Sequence, residues 1–216
     1  MTASPRTSPG WRLSSLSPSG RAPRWEGGGV RIPPGYLVSW AIIIGIMSYE
    51  APCLLVASPA LLDPNFLHTV VLIVEHDEEG ALGLILNRPL PLALAQVCAD
   101  GDMAYLGSEE ATAWRGGPVD PQRGILLVQG GLPEEEDTVV DLTHFVSHRK
   151  DLLEALLGDP IARYRLFLGY AGWSPGQLDQ ELEMGAWTRR PLVSEWLLHP
   201  TPSELWQVAL GSEAGG

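Results

Sequence analysis

Positive charge is scarce in this chain wherever a fold is expected. Its 216 residues carry 14 Lys and Arg against 26 Asp and Glu. Five of those arginines (Arg6, Arg12, Arg21, Arg24 and Arg31) lie in the first 48 residues, where Glu26 is the only acid. From residue 49 onward, nine basic side chains stand against 25 acidic ones, a net charge of −16. A nucleic-acid-binding surface needs clustered cations that displace counterions from phosphates. Arg149-Lys150 and Arg189-Arg190 are isolated pairs, so direct nucleic-acid binding is disfavoured, and the acidity reads as a solubility device.

Cysteine is as rare. Cys53 and Cys98 make neither a disulfide framework nor a cysteine-based zinc site, and both sit among apolar residues as buried thiols do. Long apolar runs are missing too. The longest, Tyr36 to Met47, has 12 residues, short of the roughly 20 that cross a bilayer as a helix. No small-residue cleavage site follows it, and the stretch before it is too long for a secretory signal. A cytoplasmic protein with no membrane partner is expected. No Walker A loop and no G-x-G-x-x-G fingerprint occurs from residue 49 onward, so no phosphate-anchored cofactor is expected; nothing else in the sequence points to a cofactor or a metal.

What is present divides the chain in two. Residues 1–35 are rich in Ser, Pro, Gly and Arg and too poor in apolar side chains to offset the entropy of ordering. Segment 1–48 therefore reads as a disordered or spurious extension, with Met47 as the natural start. Residues 49–216 suit one domain with a sizeable core. Within it, 53–57 and the β-branched run 68–76 read as strands. The turn Asp77-Glu78-Glu79-Gly80 joins the second of these to a further strand over 81–87 as a hairpin. Short helices are expected over 91–99, 149–157, 174–184 and 201–210, and strands over 124–129, 139–145 and 164–172. Strands and helices without regular βαβ alternation make the class α+β.

Four features carry possible chemistry. Gly172, Ser174 and Gly176 match the G-x-S-x-G pattern of a serine hydrolase. Pro175, however, lacks the N–H that would form half of the oxyanion hole, so Ser174 reads instead as a helix N-cap answered by Gln177. His144 and His148 share a spacing with metal ligands, but the sequence offers no third ligand. Glu75 to Glu79 reads as a solvated turn rather than a cation site. Finally, Asn87-Arg88, Gly116-Gly117 and Tyr170 to Trp173 are glycine- or polar-punctuated strand ends. If they converge, they form a concave site with an arginine, backbone donors and an aromatic wall, in which Arg88 and Trp173 are partly exposed.

Three blocks, in matching order and spacing over nearly all of residues 50–212, resemble the AlgH/YqgE family of bacterial proteins. The first comprises Ser58-Pro59, Leu62 to Phe66, Glu75-His76, Gly80 to Gly83 and Asn87-Arg88-Pro89. The second is Gly116 to Val119. The third comprises Gly169 to Trp173, Gly176-Gln177-Leu178, Glu181-Leu182 and Trp187. The resemblance implies an α+β fold with a bent, partly barrel-like mixed or antiparallel sheet and helices packed outside. The family is often labelled a transcriptional regulator and has no established activity or cofactor. His68, where members commonly carry a basic residue, and Gln129, where they often carry His, depart from its pattern. The expectation is a non-enzymatic cytoplasmic protein that binds a small ligand or a protein partner. The alternatives are a hydrolase using the Gly172–Gly176 loop and a regulator acting on DNA directly or through a partner.

Overall fold

The computed structural model describes residues 51–211; the expectations for segment 1–48 and for a start at Met47 lie outside the described residues. Among the described residues the elements run β1 (Cys53–Ala57), β2 (Val70–Asp77), β3 (Gly80–Ile85), β4 (Pro89–Ala93), α1 (Leu94–Asp100), β5 (Thr112–Arg115), β6 (Val119–Gln129) and β7 (Thr138–Val139). They continue with β8 (His144–Ser147), α2 (Lys150–Leu157), β9 (Arg163–Trp173), α3 (Gln177–Glu183), β10 (Trp187–Arg190), α4 (Ser194–Leu197) and α5 (Pro202–Gly211). The main sheet has the order β10-β1-β2-β3-β9-β6-β8-β7. All these pairs are antiparallel, while β5 joins β9 in parallel and carries β4 on its far side. With β10 and β7 at opposite ends, the sheet stays open, and the class is α+β.

Both faces of the sheet are covered at its centre, so the central strands run apolar instead of alternating; all five residues of β1 and all six of β3 are buried. One face packs Leu54, Leu72, Leu84, Leu127 and Phe167 under Leu197 of α4 and Leu205 and Ala209 of α5. The opposite face has two cores. Leu55, Val71, Ile73 and Ile85 lie with Trp173, Trp187 and Leu178 of α3. Leu126, Val128, Phe145 and Leu166 lie under Leu94 and Val97 of α1 and Leu153 and Leu157 of α2.

The bend comes at Gly169. There β9 has a φ of 73°, a left-handed conformation that suits glycine, and it changes partner. Residues 163–168 pair with β6, whereas 171–173 pair with β3. β6 bulges at the same level, between Val119 and Gly124.

Three local expectations need correction. The segment expected as a helix over 91–99 begins as strand β4, whose prolines are tolerated because it lies at the edge, and turns helical only at Leu94. The single strand expected over 139–145 is two strands, because Asp141 accepts a hydrogen bond from the N–H of Thr143 (2.7 Å) and closes a turn between them. Helix α3 starts at Gln177, with Gly176 at its N-cap in the left-handed conformation. The short elements β10 and α4 carry no strong periodic signal and were not anticipated.

Candidate ligand-binding site

The structure brings Asn87, Arg88, Gly116, Gly117 and Tyr170 together at the bend of β9. The Ile85 N–H donates to the Gly116 carbonyl (2.9 Å), the Gly116 N–H to the Leu168 carbonyl (3.0 Å) and the Arg115 N–H to the Arg88 carbonyl (2.8 Å). The glycines are there because backbone crosses backbone. A Cβ on Gly116 would stand 2.1 Å from the Gly169 carbonyl oxygen, and one on Gly117 would stand 2.1 Å from the Tyr170 carbonyl carbon. Asn87 is buried and fully used: its Oδ1 accepts from the Val70 N–H (3.1 Å), and its Nδ2 donates to the His68 carbonyl (2.9 Å). This pins a corner at which His68 has a φ of 55°. The half-buried Arg88 donates to the Leu67 carbonyl. Burial, and then the neighbouring charge of Arg115, push its guanidinium below the usual arginine range.

Trp173 does not join them, and the expected aromatic wall is absent. Its ring is only 6% exposed and packs against Phe66 and Trp187. Glu181 explains why two indoles can be buried there. Its Oε2 accepts from Trp173 Nε1 (2.9 Å) and Trp187 Nε1 (2.8 Å), and its Oε1 accepts from Gln177 Nε2 (2.8 Å). Every buried donor is thus satisfied by one carboxylate. Tyr170 is buried as well, with the Arg123 guanidinium 5.4 Å from its ring centroid. Convergence at the bend therefore serves the fold.

Ser174 is not the N-cap of α3. The N-cap position belongs to Gly176, with no side-chain cap bond. The half of the capping box that forms is the Gln177 side chain accepting from the Ser174 N–H (3.1 Å). Ser174→Ala should therefore change unfolding free energy by less than about 0.5 kcal/mol, whereas Gln177→Ala should cost about 1 kcal/mol. Urea titration of both variants checks this, and a serine-reactive phosphonate should leave Ser174 unlabelled.

The open concavity lies elsewhere, where β5 parts from β9. The two strands pair only through Trp114 with Phe167 and Arg115 with Leu168. Toward Thr112 they diverge, and β9 keeps only β6 as partner over 163–166. The fork encloses a cavity of about 400 Å³ bordered by Tyr105, Trp114, Tyr164 and Arg165, with Glu110 and Asp159 among its remaining lining residues. Tyr105 is oriented by its hydroxyl, which donates to the Ser108 carbonyl (2.8 Å). Burial raises the Tyr164 phenol to about 12, so it stays neutral, and no histidine or cysteine lines the cleft.

Arg165 is the unusual member. It is 8% exposed, and its guanidinium carbon lies 3.7 Å from the Trp114 ring centroid, a cation–π stack. It donates to the carbonyls of Leu86 (3.1 Å), Leu197 (3.4 Å) and His199, closing the C-terminal end of α4. Among the described residues it pairs with carbonyls and no carboxylate, and burial alone lowers it to about 10. Sequence inspection missed this cleft. The available signal was an arginine in β9, a strand otherwise apolar on both faces from Leu166 onward.

Comparison with known proteins decides the family. The model described as DUF179, AlgH-like, matches residues 54–215. The chain belongs to the AlgH-like family. It is 41% identical over 165 residues to a UPF0301 protein of Myxococcus xanthus, covering 76% of this chain and 91% of that protein. It is likewise 41% identical over 168 residues to a UPF0301 protein of Streptomyces coelicolor, covering 75% and 86%. The solution structure of AlgH from Pseudomonas aeruginosa superposes with a TM-score of 0.64 at 33% identity, over 79% of this chain and 94% of that one. A Corynebacterium diphtheriae protein at 23% identity, with a TM-score of 0.59, shares the fold.

In this AlgH-like chain the histidine pair does not form a metal site. His144 begins β8 and His148 follows its end, about 13 Å apart along an extended strand. His144 Nδ1 lies 3.0 Å from both oxygens of Asp141. The same carboxylate accepts from the N–H groups of Thr143 (2.7 Å) and His144 (2.8 Å) and from the Ser194 hydroxyl (2.6 Å). A nucleophilic triad runs serine to histidine to carboxylate. Here serine and histidine both bind the carboxylate, so the cluster ties the β7–β8 turn to α4. Desolvation raises the Asp141 carboxyl, but hydrogen bonds from Ser194, Thr143 and His144 outweigh it and hold the group well below the usual carboxylate range. Cys53 and Cys98 are both buried, and burial pushes the Cys98 thiol up to about 11.

Proposed function

We propose that this AlgH-like protein works in the cytoplasm by binding a small ligand in the β5–β9 cleft, without turning it over. One observation carries this reading: a cavity of about 400 Å³, within the range of small-molecule sites, is bordered by a buried arginine whose charge no carboxylate of the described residues neutralises. Aromatic walls with a fixed, buried positive charge supply orientation and affinity. No histidine or cysteine of the described residues lines the cleft, which supports binding over nucleophilic turnover. The net charge of −16 from residue 49 onward supports regulation through a ligand or protein partner over direct contact with DNA. Native mass spectrometry of protein purified from its own cells tests the reading. A small organic adduct that dissociates on denaturation, and is absent from a variant with Ala111→Trp filling the cleft, is the expected result. Only the bare chain mass in every preparation would overturn it.

A further inference from the structure

We infer that the β5–β9 cleft takes a small zwitterion of about dipeptide size, its carboxylate turned to Arg165 and its ammonium to Glu110 and Asp159. This rests on the binding reading above and adds the ligand's chemical class. The cleft is polarised by construction. On its buried side, three hydrogen bonds to carbonyls use three of the five guanidinium N–H groups of Arg165. Two donors and the whole positive charge remain, stacked on Trp114. A carboxylate is the group that matches a guanidinium fork. On the outer side, Glu110 and Asp159 are both exposed and both line the same cavity. Two acids there repel phosphates and dicarboxylates entering from solvent, which excludes nucleotides, and they attract an ammonium group.

Between the charged ends, Tyr105, Trp114 and Tyr164 provide apolar and aromatic surface for a ligand side chain. β9 adds a further element, since residues 163–166 pair only with β6. Their other edge opens on the fork, and a peptide unit can hydrogen-bond there as an added strand does. A cavity of about 400 Å³ has room for two residues and not for an extended protein segment.

The test uses the free dipeptide phenylalanyl-alanine, its N-acetyl derivative and its C-terminal amide, titrated calorimetrically into the full chain. The free dipeptide should bind, with acetylation and amidation each weakening it at least tenfold. Arg165 also holds α4, so its removal confounds folding with binding. The informative variant is therefore Glu110→Gln combined with Asp159→Asn, two exposed positions. It should weaken the free dipeptide several-fold, leave the N-acetyl derivative unchanged and melt as the parent does. Equal binding of all three compounds, or an undiminished affinity in the double variant, overturns the zwitterion while leaving a ligand-binding cleft intact. No binding by any of them at millimolar concentration overturns it too, and a native adduct would then show that the cleft accepts a different class.

Discussion

Gly117→Ala should unfold this protein at temperatures where the parent is fully native. The added Cβ would lie 2.1 Å from the Tyr170 carbonyl carbon and 2.2 Å from both the Tyr170 oxygen and the Ala171 nitrogen. Those atoms belong to the backbone of β9, the strand that joins both halves of the sheet, so no rotamer change relieves the contact. Overpacking of a rigid interior costs about 1–3 kcal/mol and more when backbone must move. The expected loss is at least about 3 kcal/mol, a large share of a typical domain's 5–15 kcal/mol. Gly172→Ala is the control. It sits three residues along the same strand from Gly169, is exposed, and its Cβ would meet side chains and no backbone, Tyr170 at 3.3 Å and Val119 at 3.6 Å. Its effect should stay within about 1 kcal/mol. Urea denaturation of the two variants separates the outcomes, and equal stabilities would disprove the close crossing at the bend.

Asp141→Ala should be the next most damaging change, at about 2 kcal/mol, because it removes the acceptor shared by Thr143, His144 and Ser194 and leaves the buried His144 ring without its partner, a loss of about 1–3 kcal/mol. The Asp141 side chain is 15% exposed and its His144 partner is buried, whereas Thr143 and Ser194 are exposed and regain water when the carboxylate is removed. A pH signature distinguishes it from a simple packing loss. The folded-state pKa is depressed, so this carboxylate stabilises the fold fully above its unfolded value of about 3.9. The contribution is lost as pH falls below that value toward the folded pKa. Stability of the parent should therefore fall more steeply than that of Asp141→Asn as pH drops below about 4. Parallel acid limbs in the two proteins would remove Asp141 from the role assigned to it.

Local chemistry was legible in the sequence and crossings were not. The β2–β3 hairpin follows from the β-branched run Val70 to Val74 and the tight turn at Asp77 to Gly80. α2 follows from leucines on one helical face. Asn87, Gly116 and Gly117 stood out correctly as special positions, but the reason is a backbone crossing, which no local pattern encodes. Trp173 was misjudged because its partner, Glu181, lies a helix turn away on α3 and buries the indole that a strand end was expected to display. The Asp141–Ser194 bond spans 53 residues, and the cleft exists only because β5 leaves β9 after two paired residues. Both depend on tertiary placement, which overrides local propensity.

The position of β9 also dictates how the chain must fold as it is made. Residues 171–173 of β9 pair with β3 on one side, and residues 163–168 and 170 pair with β6 on the other, while β1 waits for its outer neighbour until residues 187–190 exist. Such non-local pairing slows folding, and unpaired strand edges invite association. A nascent chain that ends before Arg163 leaves the strand edges of β1, β3 and β6 without the partners that later cover them. The sheet is complete only once β10 has been made and can pair with β1.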